Sequence, residues 1–191
     1  MTSGGSGAPI ARHEPGMGDL EIFPLPVDEA SLLNLLRIVF ERHWSTIRFG
    51  TLVQGAVFEI RAPAPPRIAM LDGYATIDLG DSHVHVCIGD HRGTPDAPVT
   101  AALAQHRRCH RAELYRVLHD GVAAAWGVRL YNGADEQQLT VILPHPFLDD
   151  DQHVLDAPEW DRLACWDELR ATFLGLDPDP RDRALTAFLH V

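Results

Sequence analysis

Short apolar runs with a period of two, each closed by a turn former, fill the stretch from Thr46 to Ile88. Ile47, Phe49 and Thr51 make one run, and Val57, Phe58 and Ile60 make the next. Ile68 to Leu71, Tyr74 to Leu79 and the run HVHVCI at 83–88 follow. Gly55, the APAPP segment at 62–66, Asp72-Gly73 and Gly80-Asp81 supply the turns. Alternation of this kind places successive side chains on opposite faces of a half-buried strand. Connections this tight suit antiparallel neighbours, because a parallel pair needs a crossover of about a dozen residues or more.

The flanks read differently. Asp28 or Ser31 can cap a helix whose stripe is Leu32, Leu35, Leu36, Val39 and Phe40. From Pro98 the helical period returns and is expected to run to Trp126, with a break near Arg107 to Cys109. Its apolar side would hold Leu103, Leu114, Val117, Leu118, Gly121, Val122 and Ala125. Val128 to Tyr131 and Leu139 to Leu143 read as a hairpin around Asn132-Gly133. Helices are expected over 157–174 and over 181–189, the second opened by Asp179-Pro180. Trp126, Trp160, Trp166 and Cys165 read as core residues. Strands grouped together with helices mostly at the ends indicate an α+β fold. The expected architecture is a mainly antiparallel sheet flanked by an N-terminal helix, a central helix and C-terminal helices. Residues 1–18, rich in Gly, Ser and Pro, are expected to be a disordered tail, and residues 19–191 a single domain.

Composition then removes chemistries. All 16 basic side chains are arginine, so Schiff-base chemistry, a P-loop lysine and a lysine general base are excluded. A net charge of −11 argues against nucleic acid as a partner. The longest apolar runs fall short of the ~18 residues of a membrane helix, so no membrane association and a cytoplasmic location are expected. Cys87, Cys109 and Cys165 are odd in number and widely spaced, which makes no disulfide framework. Residues 100–133 carry five arginines against two acids, a local island suited to a small anion. There is no G-x-S-x-G, H-E-x-x-H, C-x-x-C or dinucleotide fingerprint, so no reaction is specified.

The chain has 11 histidines, and the most informative lie in GDSHVHVCIGDH at 80–91. On a strand, Val84, Val86 and Ile88 point one way and His83, His85 and Cys87 the other. Imidazole and thiolate are ligands for zinc and iron. Same-face neighbours are about 6.7 Å apart, so His83 and Cys87 are separated by about 13 Å. The economical metal site is therefore His83 with His85, completed from elsewhere, with Cys87 beside it. His91 and the HRRCHRAE segment are the candidate completers. If that segment is helical, His106, His110 and Glu113 share one edge at i, i+4 and i+7. Arg107, Arg108 and Arg111 lie beside them and could hold a carboxylate or phosphate.

The strings HVHVCIGDHRG, RAELYR and WGVRLYNG…QQLTVILPHPFL resemble an uncharacterised family of small bacterial proteins over about residues 70–180. The order of elements is also similar to the cytoplasmic haem-utilisation domains: an N-terminal helix, a strand hairpin at 47–60, a His-x-His strand and a late hairpin, here LYNGADEQQLTV. That likeness implies a sheet that cradles haem, with His83 or His85 near the iron and Arg107, Arg108 or Arg111 near the propionates. Three expectations follow: a metal-binding protein for zinc or iron at His83 and His85, a haem-handling protein using the same face, or a non-catalytic interaction domain. In the last, a partner or a second copy of the chain would cover the His/Cys face.

Overall fold

The computed structural model describes residues 8–53 and 55–189. The chain begins with β1 (Ile10–Glu14) and β2 (Gly18–Leu25), an antiparallel hairpin. Helix α1 (Glu29–Arg37) follows, its first turn capped by the Asp28 carboxylate, which accepts from Ser31 N–H at 3.0 Å. It runs on into a π-helical turn over Ile38–Arg42. Next come β3 (Arg48–Gly50), β4 (Leu52–Val53) and β5 (Ala56–Val57). The strands β6 (Arg67–Leu71), β7 (Tyr74–Asp78) and β8 (His83–Cys87) form a three-stranded antiparallel sheet. A minor hairpin, β9 (Gly93–Thr94) and β10 (Ala97–Pro98), leads to α2 (Ala101–Arg107). Two long strands, β11 (Cys109–His119) and β12 (Val122–Asn132), precede β13 (Gln137–Ile142), and α3 (Ala164–Leu174) comes last. This is the α+β architecture, with a mainly antiparallel sheet.

The chain divides into two compact units. Among the described residues, the first comprises 8–25, 113–128 and 142–189. Its strands lie in the order β1-β2-β11-β12, with Leu20, Ile22, Tyr115 and Val117 packed into a buried cluster. The second comprises residues 26–112 and 129–141 and contains the order β12-β13-β3 as well as the β6-β7-β8 sheet. Its core is built on the α1 stripe, Leu32, Leu35 and Leu36, continued by Val39 and Phe40. Phe40 meets Phe49 edge-on at 4.8 Å.

Four expectations need correction. The central helix is only α2, seven residues long; 109–132 is a hairpin of two eleven-residue strands turned at Asp120-Gly121. The middle of both strands is buried on both faces, which removes the alternation that marks a half-buried strand. The proposed tail is in part a strand, since β1 occupies 10–14 and pairs with β2; residues 1–7 lie outside the described residues. The helix expected over 157–174 opens as a 3-10 turn at Trp160–Leu163 and becomes α-helical only from Ala164. The last helix is a single 3-10 turn, Pro180–Arg183. Trp126, Trp166 and Cys165 are buried as expected, while Trp160 is half-buried.

Candidate functional site

Two tight turns set the register of the β6-β7-β8 sheet. Asp72 and Gly73, with φ of 47° and 80°, form the left-handed pair that a two-residue hairpin favours. The next turn, at Gly80-Asp81, pairs Asp78 with His83, Thr76 with His85 and Tyr74 with Cys87. Val84 and Val86 stand opposite Ile77 and Ala75 on the inner face. His83 and His85 are exposed on the outer face, as the alternation requires. Their rings are 4.6 Å apart. His85 Nδ1 lies 2.8 Å from Thr76 Oγ1, which fixes the ring and leaves Nε2 for another partner. Arg67, Ala69, Thr76, Asp78, His83 and His85 line a shallow open depression on this side.

The row continues past the end of β8. The Tyr74 ring is 6.5 Å from that of His85 and meets the His91 ring edge-on at 5.0 Å. His91 Nδ1 lies 2.8 Å from Asp72 Oδ2, and Arg107 Nη1 lies 3.0 Å from His91 Nε2. The Asp72 carboxylate also accepts from the backbone N–H groups of Arg92 (2.8 Å) and Gly93 (2.9 Å), which hold it below the usual carboxylate range. Burial raises the pKa of the Tyr74 hydroxyl, whose electrostatic neighbours are Cys87 and Arg107. Cys87 shares the register of the histidines but is only 3% exposed, and burial pushes its thiol pKa up. It is a protonated, covered group.

The remaining candidates separate. Helix α2 ends at Arg107, so His106, His110 and Glu113 do not share a helix edge. His106 Nε2 bonds Glu136 Oε2 at 3.2 Å, His110 is exposed on β11, and Glu113 is buried. The stop has a physical cause: Gln138 Nε2 donates to the Arg107 carbonyl at 2.8 Å, and the following residues pass into β11. Among the described residues, no group of three or more His, Cys, Asp or Glu side chains is arranged to hold a metal ion.

The three arginines also part company. Arg108 is neutralised by Asp90 at 2.8 Å. Arg111 grips Asp135 with Nε and Nη2, at 2.9 and 2.6 Å, and stacks over Tyr131 at 3.5 Å. Arg107, exposed at the end of α2, meets the His91 ring and has no carboxylate partner among the described residues. Asp72, Tyr74 and Thr76 are the site residues that a reading of the HxHxC strand alone misses. The Gly80-Asp81 turn was a signal for two of them, since counting back from it pairs 76 with 85 and 74 with 87.

These features define an α+β protein with an exposed imidazole row on a three-stranded hairpin sheet and an unneutralised guanidinium at its end. The chain belongs to the family of unknown function DUF7676, which matches residues 9–175. No curated protein matches it. Among solved structures the chain is similar to the heme-binding protein ChuX, at 14% identity and a TM-score of 0.49, over 80% of this chain and 76% of that one. It is also similar to a protein from Erwinia carotovora, at 13% identity and a TM-score of 0.42, over 78% and 76%. Among the described residues no helix is long and apolar enough to cross a membrane.

Proposed function

We propose that the outer face of the β6-β7-β8 sheet binds an iron tetrapyrrole of the haem class. The observation that carries this reading is the donor count. His83 and His85 stand together, exposed, with no third donor assembled around them among the described residues. A bare zinc ion asks the protein for three or four ligands. Haem iron is already held by four ring nitrogens and asks for one or two axial ones. His85 would hold the iron, because Thr76 takes its Nδ1 and leaves Nε2 for a ligand. Tyr74 offers an aromatic edge, and Arg107 is a cation suited to a propionate. Bound haem would supply an iron centre open to ligand exchange or electron transfer; the chain's part is to orient it and neutralise its carboxylates. The same count disfavours a zinc or mononuclear iron site built from His83, His85, Cys87, His91, His106 and His110.

Haemin titration of the untagged protein tests the reading. A saturable Soret shift at one equivalent is expected, weakened tenfold or more in His83→Ala/His85→Ala, with Zn(II) failing to compete. An unsaturable signal, or one indifferent to the double substitution, would overturn it.

A further inference from the structure

Both ring nitrogens of His91 are engaged, so it is not a free ligand. Asp72 takes Nδ1, and that carboxylate is itself fixed by two backbone N–H groups. A carboxylate at Nδ1 places the imidazole proton there and makes Nε2 an acceptor. Arg107 Nη1 donates to that acceptor at 3.0 Å. The His91 side chain is 13% exposed, so the ring is held in place while the guanidinium it holds remains outside.

We propose that Asp72 and His91 are positioning residues that hold Arg107 as the anchor for a ligand carboxylate, an assignment that rests on the tetrapyrrole reading above. Arg108 and Arg111 are neutralised by Asp90 and Asp135, which leaves them little charge to offer an incoming anion. Arg107 is restrained by the His91 imidazole, which fixes its direction, and no carboxylate pairs with it among the described residues. A guanidinium has five N–H donors, so those not used by His91 can meet a carboxylate. Fixing the side chain beforehand lowers the ordering cost of binding. The arrangement thus selects for a carboxylate-bearing ligand, and it does so through a histidine that never touches that ligand.

Haemin and its dimethyl ester, which lacks free carboxylates, separate this role from a structural one. Arg107→Gln is expected to weaken haemin binding about tenfold, as a lost charge-assisted contact would. His91→Ala should weaken it about fivefold, and the double variant no more than Arg107→Gln alone. The ester should be indifferent to all three. His91→Gln, which keeps an acceptor, should recover part of the loss, and Arg108→Gln should change little. Effects of His91→Ala and Arg107→Gln that multiply, or an ester weakened as much as haemin, would overturn the proposal. A ligand-free arm distinguishes its failure from that of the haem reading: in ¹⁵N NMR, His91→Ala should broaden or shift the Arg107 Nε–H resonance. An unchanged resonance sinks the positioning role. A changed resonance with no saturable haemin binding in wild type keeps the His91–Arg107 contact but overturns the carboxylate anchor together with the haem site.

Discussion

Asp182 is fully buried with both carboxylate oxygens occupied. Oδ1 accepts from Arg116 Nη1 at 2.6 Å and Trp126 Nε1 at 2.9 Å; Oδ2 accepts from Trp166 Nε1 at 2.8 Å and Arg170 Nη1 at 3.4 Å. Arg116, itself buried, is further held by Glu21 and Asp179. Removing one partner from such a set leaves an uncompensated buried charge, whereas exchanging the whole set for apolar groups need not destabilise. Asp182→Ala should therefore cost about 3–5 kcal/mol of unfolding free energy. Asp182→Asn should cost less, since it keeps an acceptor for an indole N–H. Urea unfolding followed by tryptophan fluorescence measures both, and a loss below about 1 kcal/mol for the alanine variant would contradict the assignment. Asp179 adds a pH dependence. Burial opposes its charge, but the Arg181 backbone N–H and side chain, with Arg116, outweigh that and hold its carboxyl far below the usual range. A depressed carboxyl stabilises the fold above its unfolded pKa of about 3.9 and loses that contribution as the pH falls toward its folded value. The stability gap between wild type and Asp179→Asn should thus be full at pH 7 and shrink progressively below about pH 4. A gap that stays constant down to pH 3 would remove Asp179 from this role.

The two Asp-Gly hairpins show at the level of elements what a turn signal can and cannot do. At Asp72-Gly73 and Asp120-Gly121 both residues have positive φ, and both turns join antiparallel strands. An alanine at Gly121 would meet nothing within 4 Å, so Gly121→Ala should cost about 1 kcal/mol from left-handed strain alone. At Gly73 an added Cβ would stand 2.6 Å from the Asp90 carbonyl carbon. Gly73→Ala should therefore cost about 3 kcal/mol and displace the 90–93 loop, weakening the His91–Arg107 contact as well. Equal penalties at the two glycines in chemical denaturation would refute the distinction. The first hairpin is legible because its strands alternate, and that alternation also places His83 and His85 on one face. The second escapes because Val122 to Tyr131 is apolar almost throughout, a pattern that fits a helix face as well as a doubly buried strand. With that turn unread, the HRRCHRAE segment reads as a helix and its histidines as neighbours. Which arginine stays unneutralised was equally out of reach, because Asp90 and Asp135 are 18 and 24 residues from Arg108 and Arg111.

For the molecule as a whole, the three thiols give a readout that spans both units. Cys165 lies in the first unit, and Cys87 and Cys109 in the second. All three are free and buried. Burial pushes the Cys109 thiol up to about 11 and raises those of Cys87 and Cys165. The thiolate is the species that alkylating reagents attack. With a pKa of about 11, roughly one Cys109 in a thousand is ionised at pH 8 even before access is considered. Native protein at pH 8 should consequently resist iodoacetamide at all three positions, and each thiol should become reactive only when its own unit opens. Mass spectrometry of peptides labelled across a urea gradient then follows the two units separately, through Cys165 for one and through Cys87 with Cys109 for the other. Saturating haemin should delay labelling of Cys87, because a ligand that binds only the folded state stabilises it by mass action. A Cys87 that reacts in native protein as fast as a free thiol would mean that the end of β8 is open. In that case the burial that separates Cys87 from the exposed histidines, and with it the two-imidazole donor count, would have to be abandoned.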